Sequence, residues 1–276
     1  MSEIKPRFRT IDGLSVRYAE SDEPHEADAL LLSPWPESLY AFDAAWSHLA
    51  AHAHLVAVDL PGFGQSELRP DLLSPRAMGE FVVRIADELG LARPHVVAPD
   101  IGTSAALFAA AAHPGRFRSV VVGSGGASVP LHLGGVLDEW VRAEDLAPYR
   151  ALGPKDIVKI AIGTIEGYEL PEVVREDYLA SYQGERFADQ IPYVQAYPAE
   201  LPVLGGLLPA IETPVQIIAG AKDPVVPVAN AEYLHERLPH SKLDVLDAGH
   251  FVWEDAAAAY AGVVTGWWQA NTPAKE

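Results

Sequence analysis

Four short apolar runs, separated by helical patterns, constrain this chain more than any other feature. Ala29-Leu30-Leu31-Leu32-Ser33, Leu55 to Asp59, Pro94 to Ala98 and Ser119 to Val122 are runs of the kind buried in a parallel sheet. Between them lie helical stretches at about 41–51, about 75–90 and up to His113; the second repeats Met78, Phe81, Val82, Ile85 and Leu89 and closes at Gly90. This β-α-β-α-β-α-β alternation predicts a mostly parallel, doubly wound sheet with helices on both faces. Residues 4–9 and 14–20 alternate in polarity around Asp12-Gly13, which suits a hairpin at the edge of that sheet.

After Gly123 the alternation stops. Residues 128–210 show helical periodicity, as in Ile157, Val158, Ile160 and Ala161, with no buried strand run. The βα pattern resumes at Pro214 to Ala219 and continues through a helix near 228–238, the strand Leu243 to Leu246 and a helix near 254–270. The organisation expected is an α/β core of residues 1–127 and 211–276 carrying a helical cap, or lid, of residues 128–210. Such a block belongs over the carboxyl edge of the sheet, where these folds bind ligands.

Three polar residues follow core strands on that same edge. Ala98-Pro99-Asp100-Ile101-Gly102 joins a strand to a small-residue helix by a sharp turn, the layout of a nucleophile elbow with aspartate at its tip. On these residues alone Asp100 is equally well read as an N-cap for the helix. Asp223 follows the strand at 214–219, and His250 follows the strand at 243–246. Taken singly, Asp223 is a turn residue before Pro224 and His250 is one of ten histidines. Together they supply nucleophile, acid and histidine in the chain order of α/β-hydrolases.

Composition removes several alternatives. A formal net charge of −18, with no basic cluster, repels nucleic acid. There is no cysteine, so thiol catalysis, disulfides and cysteine–zinc sites are excluded. No apolar run approaches a membrane span and the N-terminus lacks the apolar stretch of a signal peptide, so a cytoplasmic protein is expected, monomer or homodimer.

The chain resembles the epoxide hydrolase and haloalkane dehalogenase branch of the α/β-hydrolases over nearly its whole length. Leu31-Leu32-Ser33-Pro34-Trp35-Pro36-Glu37-Ser38 is similar to that branch's H-G-x-P-E-S oxyanion loop, Asp59 to Ser66 resembles its D-x-x-G-x-G-x-S loop, and Gly249-His250-Phe251 matches its histidine motif. Two departures are plain: His-Gly is replaced by Ser33-Pro34, and the residue before the aspartate, often His, is Pro99. The resemblance implies the α/β-hydrolase fold and backbone oxyanion donors on Trp35 and Ile101. It also implies a cofactor-independent reaction on a small apolar organic substrate.

An aspartate nucleophile suits displacement at an sp³ carbon, because attack on an acyl carbon would give an anhydride. The expected intermediate is an alkyl ester on Asp100, hydrolysed by water that His250, oriented by Asp223, deprotonates. Halogen chemistry in this family commonly uses a Trp directly after the nucleophile, or an Arg in fluoroacetate dehalogenases; here that residue is Ile101. An epoxide's leaving alkoxide needs a proton donor, in this family normally one or two lid tyrosines or a Tyr with His, and residues 128–210 supply Tyr149, Tyr168, Tyr178, Tyr182, Tyr193 and Tyr197. By likeness to epoxide hydrolase lids Tyr193 is named first as the acid, although its ring could equally serve only to pack the lid. Trp140, Tyr168 and His132 are further candidates to face the substrate. The leading expectation is epoxide opening to a diol. The alternatives are a dehalogenase using Trp35 or Trp140 as halide donors, or a non-hydrolytic biosynthetic or ligand-binding protein on the same scaffold.

Overall fold

The structure is a computed structural model that describes residues 3–272 apart from Glu23 and Leu152. Strands β1 (Arg7–Ile11) and β2 (Leu14–Glu20) form the hairpin, turning through Asp12 and Gly13 in left-handed conformations. β2 runs antiparallel to β4 (His54–Val58), and the rest is parallel: β3 (Asp28–Leu32), β5 (His95–Pro99), β6 (Ser119–Gly123), β7 (Val215–Gly220) and β8 (Ser241–Leu246). The spatial order is β1-β2-β4-β3-β5-β6-β7-β8.

The central strands are apolar on both faces because both faces are covered. Leu30, Leu32, Val56, Val58, Val96 and Ala98 join one core, under helices α2 (Pro75–Glu88) and α3 (Gly102–Ala112). Ala29, Leu31, Leu55, Ala57 and Val97 join the other, under α1 (Asp43–Ala50) and, late in the chain, α12 (Ala257–Ala270). Successive residues alternate between the two cores, as the period of a strand requires. Helix α2 starts at Ser74, whose hydroxyl accepts from Ala77 N–H, with Pro75 in the first turn. Its Gly79 meets α3 backbone to backbone: a Cβ there would lie 2.6 Å from the Ala105 carbonyl oxygen. Alanine-rich α3 is thereby drawn into the core beneath α2.

Between β6 and β7 the described residues form helices only: α4 (Gly135–Arg142), α5 (Ala147–Ala151), α6 (Pro154–Ile162), α7 (Glu172–Ser181), α8 (Ile191–Gln195) and α9 (Tyr197–Leu207), with short 3₁₀ turns. Their polar contacts locate this insertion over the loops at the carboxyl ends of β3, β4 and β5. Tyr182 donates to the Glu37 carbonyl, Arg186 to that of Gly64, Gln190 to that of Gly62 and Tyr193 to that of Ile101. Asp177 of α7 accepts from the buried Arg17 of β2, which also pairs with Asp59 at 3.3 Å. Asp59 in turn accepts N–H groups of Leu39 and Gln65, so one carboxylate organises the loops after β3 and β4.

Helix α10 (Ala229–Arg237) follows β7. The single helix expected at 254–270 is two, α11 (Val252–Asp255) and α12, broken at Ala256 (φ −127°, ψ 39°). The break has a physical reason. Asp255 accepts N–H groups of Glu166, Gly167 and Gly249, and its backbone comes so close to Gly167 that a Cβ there would lie 1.8 Å from the Asp255 carbonyl oxygen. The chain turns at this point to dock on the insertion. No helix among the described residues is long and apolar enough to cross a membrane.

Candidate active site

The turn after β5 is strained. Asp100 has φ +51°, a left-handed conformation that costs a non-glycine residue roughly 1–2 kcal/mol. Its surroundings hold it there. Asp100 N–H donates to the Gly123 carbonyl, and Thr103 Oγ1 bridges β5 and β6 through the Ala98 and Gly123 carbonyls and Gly123 N–H, each at 3.1 Å. Gly125 has no room for a side chain, since a Cβ would lie 2.2 Å from the Asp100 carbonyl oxygen. The result turns the Asp100 side chain away from its helix. The N-cap residue of α3 is Ile101, with no side-chain cap, so the N-cap reading of the Asp100 side chain does not hold.

The Asp100 carboxylate instead lies against two backbone donors. Oδ2 accepts Trp35 N–H at 2.7 Å, and the Ile101 N–H is near enough to the carboxyl to lower its pKa. Burial raises the Asp100 pKa; His250 and these two N–H groups pull it back down without cancelling the rise.

His250 stands on the other side, its Nε2 3.8 Å from Asp100 Oδ1. Its Nδ1 is hydrogen-bonded to Asp223 Oδ2 at 2.8 Å, and Asp223 Oδ1 accepts Val225 and Val226 N–H, both at 2.8 Å. With Asp223 engaging Nδ1, Nε2 is the ring nitrogen turned toward Asp100. Burial opposes protonation of His250, but Asp223 and, more weakly, Asp100 outweigh it and leave the pKa raised. The other histidine buried among the described residues, His95, lies at the opposite end of β5 on Ser119 and Thr272; burial lowers its pKa to about 3.

Aromatic rings close over this group. Trp35 stacks on Phe187 at 4.8 Å and meets Trp140 of α4 at 5.1 Å, while Phe63 packs edge-on against Tyr193. The Trp35 Nε1–H is buried with no acceptor among the described residues.

The tyrosines separate by where their hydroxyls go. Tyr168 does not reach the site: its hydroxyl donates to Asp43 at 2.8 Å, beside a surface crevice of about 720 Å³ lined by His48, Gly167, Asp255 and Ala258. Tyr178 donates to Glu254 and Tyr182 to the Glu37 backbone. Tyr193 is buried in the site, but its hydroxyl is committed to the Ile101 carbonyl at 2.7 Å. Tyr197 lies beside it, held by Gly126, where a Cβ would come within 2.8 Å of the ring. Burial raises the pKa of both phenols, and the Asp100 charge adds to the rise. Ser104 Oγ faces both hydroxyls and finds no partner of good geometry. His132 is occupied with Ser128 at 3.3 Å.

Sequence reasoning names the triad positions and both N–H donors, and the structure brings Asp100, Asp223, His250, Trp35 and Ile101 together. It does not single out Tyr197, one of six tyrosines in the insertion, nor Thr103, whose role depends on the adjacent strand. Among the described residues no group of three or more His, Asp or Glu side chains could hold a metal ion.

Comparison with known proteins agrees with this architecture. A family model described as alpha/beta hydrolase fold matches residues 30–152. An uncharacterized hydrolase of Saccharomyces cerevisiae is 26% identical over 285 residues, covering 95% of this chain and 97% of that protein. A 3-oxoadipate enol-lactonase of Acinetobacter baylyi is 27% identical over 236 residues, covering 79% of this chain and 77% of that protein. Among solved structures, a haloalkane dehalogenase variant from Bradyrhizobium elkanii superposes with a TM-score of 0.79 at 22% identity, covering 98% of each chain.

Proposed function

We propose that this chain, a member of the α/β-hydrolase superfamily, hydrolyses a small apolar substrate through an alkyl ester on Asp100, opening an epoxide to a diol. One observation carries the reading: the residue at the strained turn is a carboxylate, with Oδ2 on the Trp35 N–H and Oδ1 facing His250. The N–H donors neutralise one oxygen and orient the other for attack on carbon.

In the first step Asp100 Oδ1 attacks a ring carbon, the C–O bond breaks, and a phenol gives its proton to the leaving alkoxide. Tyr197 is better suited to this than Tyr193, because no backbone carbonyl claims its hydroxyl among the described residues. In the second step His250 takes a proton from water, and the hydroxide attacks Asp100 Cγ. Trp35 and Ile101 N–H groups hold the oxyanion until it collapses; the ester C–O bond to the substrate oxygen breaks, and that oxygen takes the proton of the added hydroxyl, giving the diol and the Asp100 carboxylate. The proton on His250 then restores the phenol. Esterification removes the Asp100 charge that helps raise the His250 pKa, so the imidazole becomes a free base when one is needed.

Carbon–halogen cleavage is the second reading, supported by the buried Trp35 Nε1–H, which would hold a departing halide in place of a solvent.

The test uses His250→Gln. With either leaving group the first step survives and the second stalls, so the intact mass should rise by the whole epoxide, or by the haloalkane less HX, located on Asp100. Diol from epoxides favours the first reading, and halide release from haloalkanes the second. If active wild-type protein gives no adduct in the variant, and turnover in heavy-oxygen water never labels Asp100, the covalent mechanism is wrong.

A further inference from the structure

One cluster of buried titratable groups takes no part in these steps. Glu37, two residues past Trp35, and Glu254 of α11, four residues past His250, are 0% and 1% exposed. Trp253 Nε1–H donates to Glu37 Oε2, and the Tyr178 hydroxyl donates to Glu254 Oε1, each at 2.9 Å. The other oxygen of each carboxyl, Glu37 Oε1 and Glu254 Oε2, has no N–H or hydroxyl donor among the described residues. The two carboxyls are near enough for each to shift the proton affinity of the other. Two ionised carboxylates are costly side by side there, since neither has a proton to give the other and like charges repel strongly in the interior. A single proton would resolve the arrangement: with Glu37 as the acid donating to Glu254, the oxygens that now lack a partner would each have one.

We propose that Glu37 and Glu254 share one proton and act as positioning residues, tying the loop that bears the Trp35 N–H donor to the helix that follows His250. The proposal rests on the reading of Trp35 and His250 as working parts of the site. The network reaches further, because Tyr178 belongs to α7 and the Tyr182 hydroxyl closes on the Glu37 backbone; the insertion is fastened to the same pair. Burial raises Glu37 well above the usual carboxylate range, with Glu254, and less strongly Asp100, adding to the rise. Burial likewise raises Glu254, to about 7, with Asp255 and Asp43 adding to the rise and Glu37 and Tyr178 opposing it. Tyr168 faces Glu254 from the insertion, and the His250 ring packs against Trp253.

Both carboxyls are raised, so the folded protein holds protons that the unfolded chain releases. The pair's contribution to stability is full below the ordinary carboxylate range and falls as pH rises from there; the Glu254 share is gone above about 7, and the Glu37 share goes on falling until its own proton is lost.

Three variants of the full chain test this: Glu37→Gln, Glu254→Gln and Glu37→Ala. A glutamine amide donates the same bond without a titrating proton. Melting temperature should fall with rising pH more steeply in wild type than in either glutamine variant. Carbon-13 carboxyl shifts of wild type should show one of the two groups still protonated above neutral pH. With a substrate in hand, Glu37→Ala should slow hydrolysis of the Asp100 ester about ten- to a hundredfold with KM little changed, and Glu37→Gln should restore it. Superimposable melting profiles, or two carboxyls that both ionise in the usual range, overturn the shared proton; an unaffected ester step in Glu37→Ala overturns the positioning role. The melting and carboxyl measurements need no substrate, so they succeed or fail independently of the Asp100 adduct experiment.

Discussion

His250 is tied to Asp223 at 2.8 Å and stands off Asp100 at 3.8 Å. The first distance is a hydrogen bond and the second is too long to be one. An imidazole bonded firmly to one carboxylate and held short of another has its free nitrogen available to a third molecule between them. In the proposed mechanism, a water beside Nε2 would meet both a base and, once the ester has formed, the Asp100 carbonyl carbon.

Asp223→Asn should leave the fold intact, because an amide oxygen still accepts Val225 and Val226 N–H. Its amide nitrogen cannot accept His250 Nδ1–H, so the ring loses its tautomer and its orientation. Hydrolysis of the Asp100 ester should slow by a factor on the order of 10³–10⁴, by analogy with the same change in Ser-His-Asp triads, while ester formation persists. Single-turnover kinetics separate the two steps, and equal effects on both would contradict this division of labour.

Because Asp100 contributes to the raised pKa of His250, Asp100→Asn should shift the His250 titration to lower pH. A proton NMR titration of the imidazole reads this directly, and an unchanged midpoint would deny the coupling. The sign for stability follows. A raised histidine contributes stability that is complete below its unfolded value, near 6.5, and is lost as pH rises through the folded pKa. Asp100→Asn should flatten that part of the unfolding profile.

Gly126→Ala should reproduce the defect of Tyr197→Phe. The new Cβ would lie 2.8 Å from Tyr197 Cε2, so the ring must move even though its hydroxyl is untouched. Both variants should slow formation of the Asp100 adduct from an epoxide by about 10²–10⁴, the usual worth of a positioned acid, and spare its hydrolysis. Adduct formation at the wild-type rate in Tyr197→Phe, with loss in Tyr193→Phe, would return the role to Tyr193.

Arg17→Leu should destabilise the protein by about 3–5 kcal/mol, because it leaves two buried carboxylates without their cation. The side chains of Arg17, Asp59 and Asp177 are 6%, 0% and 11% exposed, so solvent screens the group little. Urea unfolding measures the loss. A loss below about 1 kcal/mol, typical of surface pairs, would show that the latch between β2 and the insertion is weak.

Much of this protein is legible in its chain, for a local reason. Runs such as Leu30-Leu31-Leu32 report burial on both faces of a strand, and turns at Asp100, Asp223 and His250 each follow a strand that the same runs identify. Topology then brings those three turns to one edge. The hairpin, the parallel sheet, the helical insertion and the placing of these three polar turns all rest on such short-range information. What only the tertiary structure decided are partnerships between side chains far apart in sequence. Trp253 meets Glu37 across 216 residues, and Asp177 meets Arg17 across 160. The tyrosines show why periodicity could not foresee this. Tyr178, Tyr182, Tyr193 and Tyr197 are all buried, as a helical pattern predicts, yet their hydroxyls' neighbours come from three separate core segments: Glu254, the Glu37 carbonyl, and the start of α3 with the Ile101 carbonyl and Ser104. Burial is a property of one element, whereas the direction of a hydroxyl depends on how two elements pack.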